Sequence, residues 1–468
     1  MAPVSREIPR PAELRRDVDF WIRVYSEITT LQGFMHDERH LGVVYETLDL
    51  AAQGPAGSAS RRQLVSSSRD RWTAALEEAA QFLETTGRGA ALPAVQGPTA
   101  ATAAVSADAQ RVLELWGTEA TPARLREARA EVRFQLGQAD RFRAGIVRSG
   151  TWESHIARSL ERLGLPPELA ALPHVESSFT PNAYSKVGAS GLWQFMRSTG
   201  RLYMRVDDIV DERLDPFRST EAAARLLLNN YRVLGSWPLA LTAYNHGAGG
   251  MRRAKRVMGT DDFAVIARNY RSRSFGFASR NFYPSFLAAL TIDQDAQRYF
   301  PGVVRAPELR FQEVEMPGYA DISRLELRLG VPMAQLRELN TALRPPVWAG
   351  ERFVPRGYRL RLPAGTEPGP PQPLTAQAFI DRVGADHLYV SQIGPRVHRV
   401  ARSETLHQVA RKYGFSVQRI AQLNGLPTDA KLKRGRVLQL PDERPATLAD
   451  LAASTGSAAA AAGTARGL

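Results

Sequence analysis

The chain has 468 residues, 44% of them hydrophobic, no cysteine, and 61 Lys and Arg against 48 Asp and Glu, for a formal net charge of +13. Such a length exceeds what one hydrophobic core organises and predicts two to four domains, while the missing cysteine excludes disulfides, thiolate metal sites, a cysteine nucleophile and a lipidated N-terminal cysteine in the chain as it stands. The positive balance favours polyanionic partners, whether nucleic acid, a membrane surface or an acidic polymer such as cell-wall glycan, although Arg residues spread along the chain also suit a solvated surface.

MAPVSREIPRPAELRRDV lacks the apolar core of a signal peptide, and no apolar run approaches the roughly 18 residues that span a bilayer. From about Val18 to Leu48 apolar residues recur at helical spacing, as in FWIRVYSEITTLQGF, and a second such run covers 69–85. AAQGPAGSASR between them predicts a flexible connection, and residues 87–108, poor in large apolar side chains, a longer one. In TPARLREARAEVRFQLGQADRFRAGIVRSG a third helical stretch begins, with Thr121 as N-cap before Pro122 at the first helical position. Residues 151 to about 300 are the densest part, helical with Gly- and Pro-marked turns, where a catalytic domain is expected. Beyond it LGVPMAQLRELN (329–340) aligns with YGFSVQRIAQLN (413–424), followed by the strand-like GYRLRLP and GRVLQLP, which predicts two small related modules. The segment 364–378 is a Pro-rich linker and the Ala-rich tail is expected to be disordered.

HVESSFTPNAYSKVGASGLWQF (174–195) sets one carboxylate, Glu176, among apolar neighbours. In the last turn of a helix through PELAALPHVESSF, the dipole and the apolar surroundings both disfavour the anion and raise its pKa. A carboxyl kept protonated near neutral pH can act as a general acid, as in protonation of a glycosidic oxygen. Ser185, Gly188, Gly191, Trp193, Gln194 and Met196 follow, and AYNHGAGG supplies Tyr244 and Asn245. Hydroxyl, amide and aromatic groups around one acid suit a sugar.

The run E-S-x-F-x-P, then A-x-S-x-x-G-A-x-G-L-W-Q-F-M, then A-Y-N-x-G resembles the lytic transglycosylases of lysozyme-like fold, in particular the membrane-bound lytic murein transglycosylase D group, over about residues 17–300. The resemblance implies a mainly α-helical fold: an N-terminal helical region (1–150) and a lysozyme-like catalytic domain (151–301). It implies Glu176 as the sole catalytic acid and base. Ser185 would bond the substrate's N-acetyl group or orient the acid, and Gln194, Met196, Tyr244 and Asn245 would line the cleft. Trp193 stands at the family's variable position. The implied reaction is non-hydrolytic cleavage of peptidoglycan between N-acetylmuramic acid and N-acetylglucosamine, leaving a 1,6-anhydromuramoyl end, with no metal and no cofactor. Asp207, Asp208, Asp211 and Asp215 are expected as loop and cap residues; one of them facing Glu176 would instead make hydrolysis credible.

Residues 397–441 resemble a LysM module, a small α/β glycan-binding fold, through SETL (403–406) and Leu423-Asn424, with Glu404 replacing the usual Asp. The upstream copy, 318–363, keeps the helices and the Leu-Asn pair, lacks a clear first strand and carries WAGERFVPR as an insertion, so glycan binding and packing stand as alternatives for it. Residues 364–396 are assigned to a linker and 442–468 to a tail. Peptidoglycan strands are the expected partner, with a possible peripheral membrane association, no nucleic acid, and a periplasmic or cell-envelope location for a mature or late-started chain. HDERH (36–40) offers two histidines at helical spacing, but Asp37 stands where a zinc-protease motif needs Glu. His174 and His246 are expected to be packing or supporting residues.

Overall fold

A computed structural model describes residues 5, 7–86, 105–364, 373–393, 397–441 and 445–453. Most of the connection expected at 87–108, the Pro-rich 365–372 and most of the tail lie outside these residues. Contacts divide the chain into two units, Met1–Met196 with Pro216–Glu308, and Arg197–Asp215 with Leu309–Leu468. The fold is mainly helical with two small two-stranded sheets, as expected, and a three-stranded sheet in the N-terminal region that was expected to be helical.

In the first unit α1 (Arg15–Ser26) is followed by β1 (Gln32–Asp37), β2 (Val44–Asp49), α2 (Ala59–Thr86), α3 (Ala107–Trp116), α4 (Pro122–Ala128), β3 (Val132–Leu136) and α5 (Ala139–Ser149). The helical expectation for Val18–Leu48 therefore holds only to Ser26, and the third helical stretch is broken by β3. The strands form an antiparallel sheet of order β2-β1-β3, with Phe34 opposite Thr47 on one side and Gln135 on the other. Close approach explains the glycines here: a Cβ on Gly137 would stand 2.4 Å from the carbonyl oxygens of Ile28 and Thr29. HDERH is likewise not helical. His36 is buried in β1, and Asp37 Oδ1 accepts the amides of Arg39 and His40 at 2.8 and 2.7 Å, closing the turn. Thr121 caps α4 ahead of Pro122 as the sequence predicts.

The same unit continues with α6 (Glu153–Glu161), a 3-10 turn (Pro167–Ala171) and α7 (Leu172–Ser177). After α8 (Arg197–Gly200), which belongs to the second unit, come α9 (Pro216–Leu234), α10 (Trp237–His246), α11 (Ala248–Met258), α12 (Phe263–Asn269), α13 (Phe277–Gln294) and α14 (Ala296–Tyr299). Helix α13 is buried on nearly every face, and α1 packs on it through one core of Phe20, Val24, Tyr25, Phe142, Ala288 and Ile292.

In the second unit β4 (Phe311–Glu315), α15 (Ile322–Leu329), α16 (Met333–Leu339), α17 (Pro345–Trp348) and β5 (Arg359–Pro363) form the first module, whose end strands pair antiparallel from Phe311 opposite Pro363 to Glu315 opposite Arg359. A first strand is thus present, upstream of the boundary expected at 318; the alternation of FQEVE was too short to mark it. Helix α18 (Ala376–Val383) buries Phe379 and Val383 in the same core, so part of the expected linker is ordered structure. The second module is β6 (Val397–Arg399), α19 (Leu406–Tyr413), α20 (Val417–Leu423) and β7 (Val437–Gln439). Asn340 and Asn424 do the same work in the two copies. Each side-chain amide donates to a carbonyl of the last strand, Arg361 at 2.8 Å or Gln439 at 2.7 Å, and each accepts that residue's amide.

Replacing Gly137 by Ala should lower stability by roughly 1–3 kcal/mol, because its Cβ meets backbone and no flexible side chain can yield. Thermal or urea unfolding would measure it; an unchanged midpoint would mean the α1–β1 connection shifts freely.

Candidate active site

Glu176 sits in the last turn of α7, and Pro173 within the first turn of that helix is tolerated because no intrahelical partner is needed there. The chain reverses at once. Ser178 and Phe179 both take left-handed conformations, φ 49° and 54°, which side chains other than Gly adopt at a cost. Their amides close the helix end onto His174 and Pro173, and Arg148 donates to both of their carbonyls, at 2.6 Å to Ser178 and 3.1 Å to Phe179. Ser177 Oγ donates to Leu192 O at 2.7 Å and ties the acid's neighbour to the Gly-rich loop.

Burial pushes the Glu176 carboxyl up to about 8. The residue as a whole is half-buried. Two phenols lie within its field: Tyr244, raised first by burial and then by the Glu176 charge, and Tyr25, raised by burial, lowered in part by a bond to Ser285 and raised by Glu176. Sequence reasoning missed Tyr25, because nothing in the helical pattern of α1 marks the one position that turns towards a site formed about 150 residues later.

The residues expected around the acid fall into three groups. Ser185 N donates to Ala189 O at 2.9 Å and Ser185 Oγ accepts the Ala189 amide at 2.9 Å, so its hydroxyl shapes a turn whose Gly188 has φ 88°. Gln194, itself at φ 48°, donates its side-chain amide to Gly191 O at 2.8 Å, and Tyr244 OH donates to Trp193 O at 2.8 Å. These bonds hold the Gly-rich loop to which Ser177, the neighbour of Glu176, is tied. Trp193 is fully buried with Nε1 on Thr220 Oγ1 at 2.8 Å, a packing role. Met196 is 42% exposed and Asn245 is exposed, with its Oδ1 accepting from Ser279 at 3.4 Å, beside the His246 Nδ1 contact to the same hydroxyl. His174 is buried between Phe142 and Phe179, its Nε2 on Asp293 at 2.9 Å. Burial would raise Asp293, but the bonds from His174 and Arg305 hold it below the usual carboxylate range.

The acidic run 207–215 has structural work. Asp207 accepts the amides of Ile209 and Val210, Asp211 pairs with Arg213 at 2.8 Å, and Asp215 is buried against Arg361 at 2.7 Å; Asp208 is almost fully exposed. Asp37, His40 and Glu131 bring three ligand atoms within 4.8 Å of one another. Asp37 Oδ1 is held by the turn and Glu131 pairs with Arg39 Nε at 3.0 Å, so the cluster reads as an ion-pair network around a hairpin.

Residues 155–266 match the Transglycosylase SLT domain and residues 398–441 the LysM domain. The chain is 26% identical over 292 residues, 61% of its length, to membrane-bound lytic murein transglycosylase D of Escherichia coli (strain K12), and spans 62% of that relative. It is 36% identical over 102 residues, 21% of the chain and 49% of the relative, to a putative tributyltin chloride resistance protein of Alteromonas sp. (strain M-1). Among solved structures, the 70 kDa soluble lytic transglycosylase Slt70 from Escherichia coli aligns over 52% of this chain and 44% of its own at 17% identity, TM-score 0.27. The chain thus contains a transglycosylase SLT domain that includes Glu176, and a LysM domain.

A carboxyl raised by burial binds its proton more tightly folded than unfolded, so ionising it costs stability as pH climbs from its ordinary value of 4.5 towards 8. Glu176→Gln should therefore melt at the same temperature as the parent near pH 4 and be more stable by roughly 1–3 kcal/mol at pH 8. Parallel melting curves across the whole range would show that the carboxyl is not desolvated.

Proposed function

We propose that this protein is a peptidoglycan lytic transglycosylase of the bacterial cell envelope, and the observation that carries the reading is the placement of Glu176 in the last turn of α7, within the segment that matches the SLT domain, where burial pushes its carboxyl up to about 8. In the reaction proposed, Glu176 gives its proton to the glycosidic oxygen between N-acetylmuramic acid and N-acetylglucosamine as the bond to the anomeric carbon breaks. The substrate's N-acetyl group assists that departure. The muramoyl 6-hydroxyl then bonds to the anomeric carbon and returns its proton to Glu176. No water is consumed, so one carboxyl suffices where hydrolytic glycosidases use two. Tyr244 and Gln194 support the loop on the far side of Ser177, and Met196 and Asn245 offer exposed surface to the sugar.

The similarity to a membrane-bound murein enzyme supports an envelope location. No described helix is long and apolar enough to cross a membrane, and peripheral association is part of the proposal. The LysM domain would hold glycan strands and raise their local concentration at the cleft.

Incubation with purified peptidoglycan, followed by mass analysis of the fragments, should give muropeptides lighter by one water than hydrolytic ones, and none with Glu176→Gln. Water-containing fragments would make the protein a hydrolase instead. The rate should fall as pH rises through about 8, because only the protonated acid can donate; a rate that rises across that range would assign Glu176 the role of base alone.

A further inference from the structure

The two modules share their strand pairing and their asparagine clamp, yet differ in what lies over their loops. In the second module residues 401–403, between β6 and α19, and residues 425 and 427–429, between α20 and β7, are exposed. Aligned on Asn340 and Asn424, Ala342 and Leu343 of the first module fall where Leu426 and Pro427 stand, and both are buried, as is Ala320 in the loop before α15.

What buries them is chain from the same unit. Ala320 exchanges both backbone bonds with Val354, from the WAGERFVPR insertion, and Tyr319 does so with Tyr389. On the other loop, Asp211 N donates to Ala342 O at 2.8 Å, Arg344 N donates to Ile209 O at 3.0 Å, and Thr341 Oγ1 donates to Leu214 O at 2.6 Å. Val210 lies wholly within the module's hydrophobic core. Asp215 closes the segment against Arg361, with both side chains almost fully buried. Burial alone would lower the Arg361 pKa, but Asp215 more than reverses that. Arg361 also reaches Glu313 of β4 at 3.3 Å, so the guanidinium is fixed within the module and the buried Asp215 carboxylate that meets it favours one register, because burying that charge without a partner is strongly disfavoured.

We propose that the first module is a clasp for residues 206–215, and that the surface left open on the second module is filled on the first by the chain itself, so that only the second takes N-acetylglucosamine-containing glycan. The clasped segment follows Met196 in the sequence after residues 197–205. The glycan half of the proposal rests on the wall-binding reading above; the clasp half does not.

Two measurements on the full-length chain separate them. With Glu176→Gln as background, titration of an N-acetylglucosamine tetramer should shift amide resonances within 400–405 and 425–431 and leave 316–321 and 341–344 unmoved. Shifts in the latter two stretches would overturn the proposal, whereas no shift in the second module would remove the wall-binding reading and leave the clasp standing. Hydrogen exchange decides the clasp: in Arg361→Met, and in Asp215→Asn should the first variant fold poorly, the amides of Asp211 and Arg344 should exchange together at least tenfold faster, with those of α19 and α20 unchanged. Undiminished protection of Asp211 in both variants would show that the segment does not depend on the module, and the clasp would fall.

Discussion

A carboxyl can wait protonated at neutral pH only where protein keeps water from solvating its anion. That constraint organises the candidate site. Helix α7 ends one residue after Glu176, and the tight left-handed exit at Ser178 and Phe179 folds the chain back against it. Strain at those two residues is held by Arg148, which grips both carbonyls, and by the burial of Phe179. The phenols of Tyr25 in α1 and Tyr244 in α10 are both raised by the Glu176 charge after burial, so helices far apart in sequence lie within the field of one acid. Ser177, next to the acid, then bonds to Leu192, and Tyr244 bonds to Trp193, which makes the Gly-rich loop and the turn after Glu176 one hydrogen-bonded piece.

Much of this was legible in the residues because it is local. A cap at Thr121 before Pro122 and a Glu176 desolvated near a helix end follow from composition within a dozen positions, although the helix expected to reach Thr180 and Pro181 starts as a 3-10 turn and stops at Ser177. What was not legible is non-local. Gly33 and Phe34 belong to a strand because β3, a hundred residues later, lies against them, and QGFMHD alone carries no period that says so. The same holds for Asp215, which before a proline looks like a turn residue and proves to be half of a buried ion pair with a partner in another segment. Ser185 and Gln194 carry bonds the residues did not announce: each also holds backbone of the Gly-rich loop, a task set by the fold of that loop.

The repeated modules show one local device serving different surroundings. In both copies an asparagine at the end of the second helix pairs with a residue of the last strand, amide to carbonyl and carbonyl to amide. That bond fixes the helix-to-strand loop without using its outer face. Evolution can therefore leave the outer face bare in one copy and pack it in the other, with no change to the inner geometry.

The interleaving of the two units has a consequence for how the chain is made. Asp215 and Arg361 are 146 positions apart, so on a ribosome adding about 5–20 residues each second the carboxylate emerges roughly 7–30 s before its guanidinium. Through that interval Val210 and the rest of 206–215 have no core to enter, although the residues on both flanks are already free to fold. Residues 206–215 therefore stay without their anchor until the first module has been made. Completion of the nascent protein is thus ordered in time, with the segment captured only after residues past Arg361 have appeared.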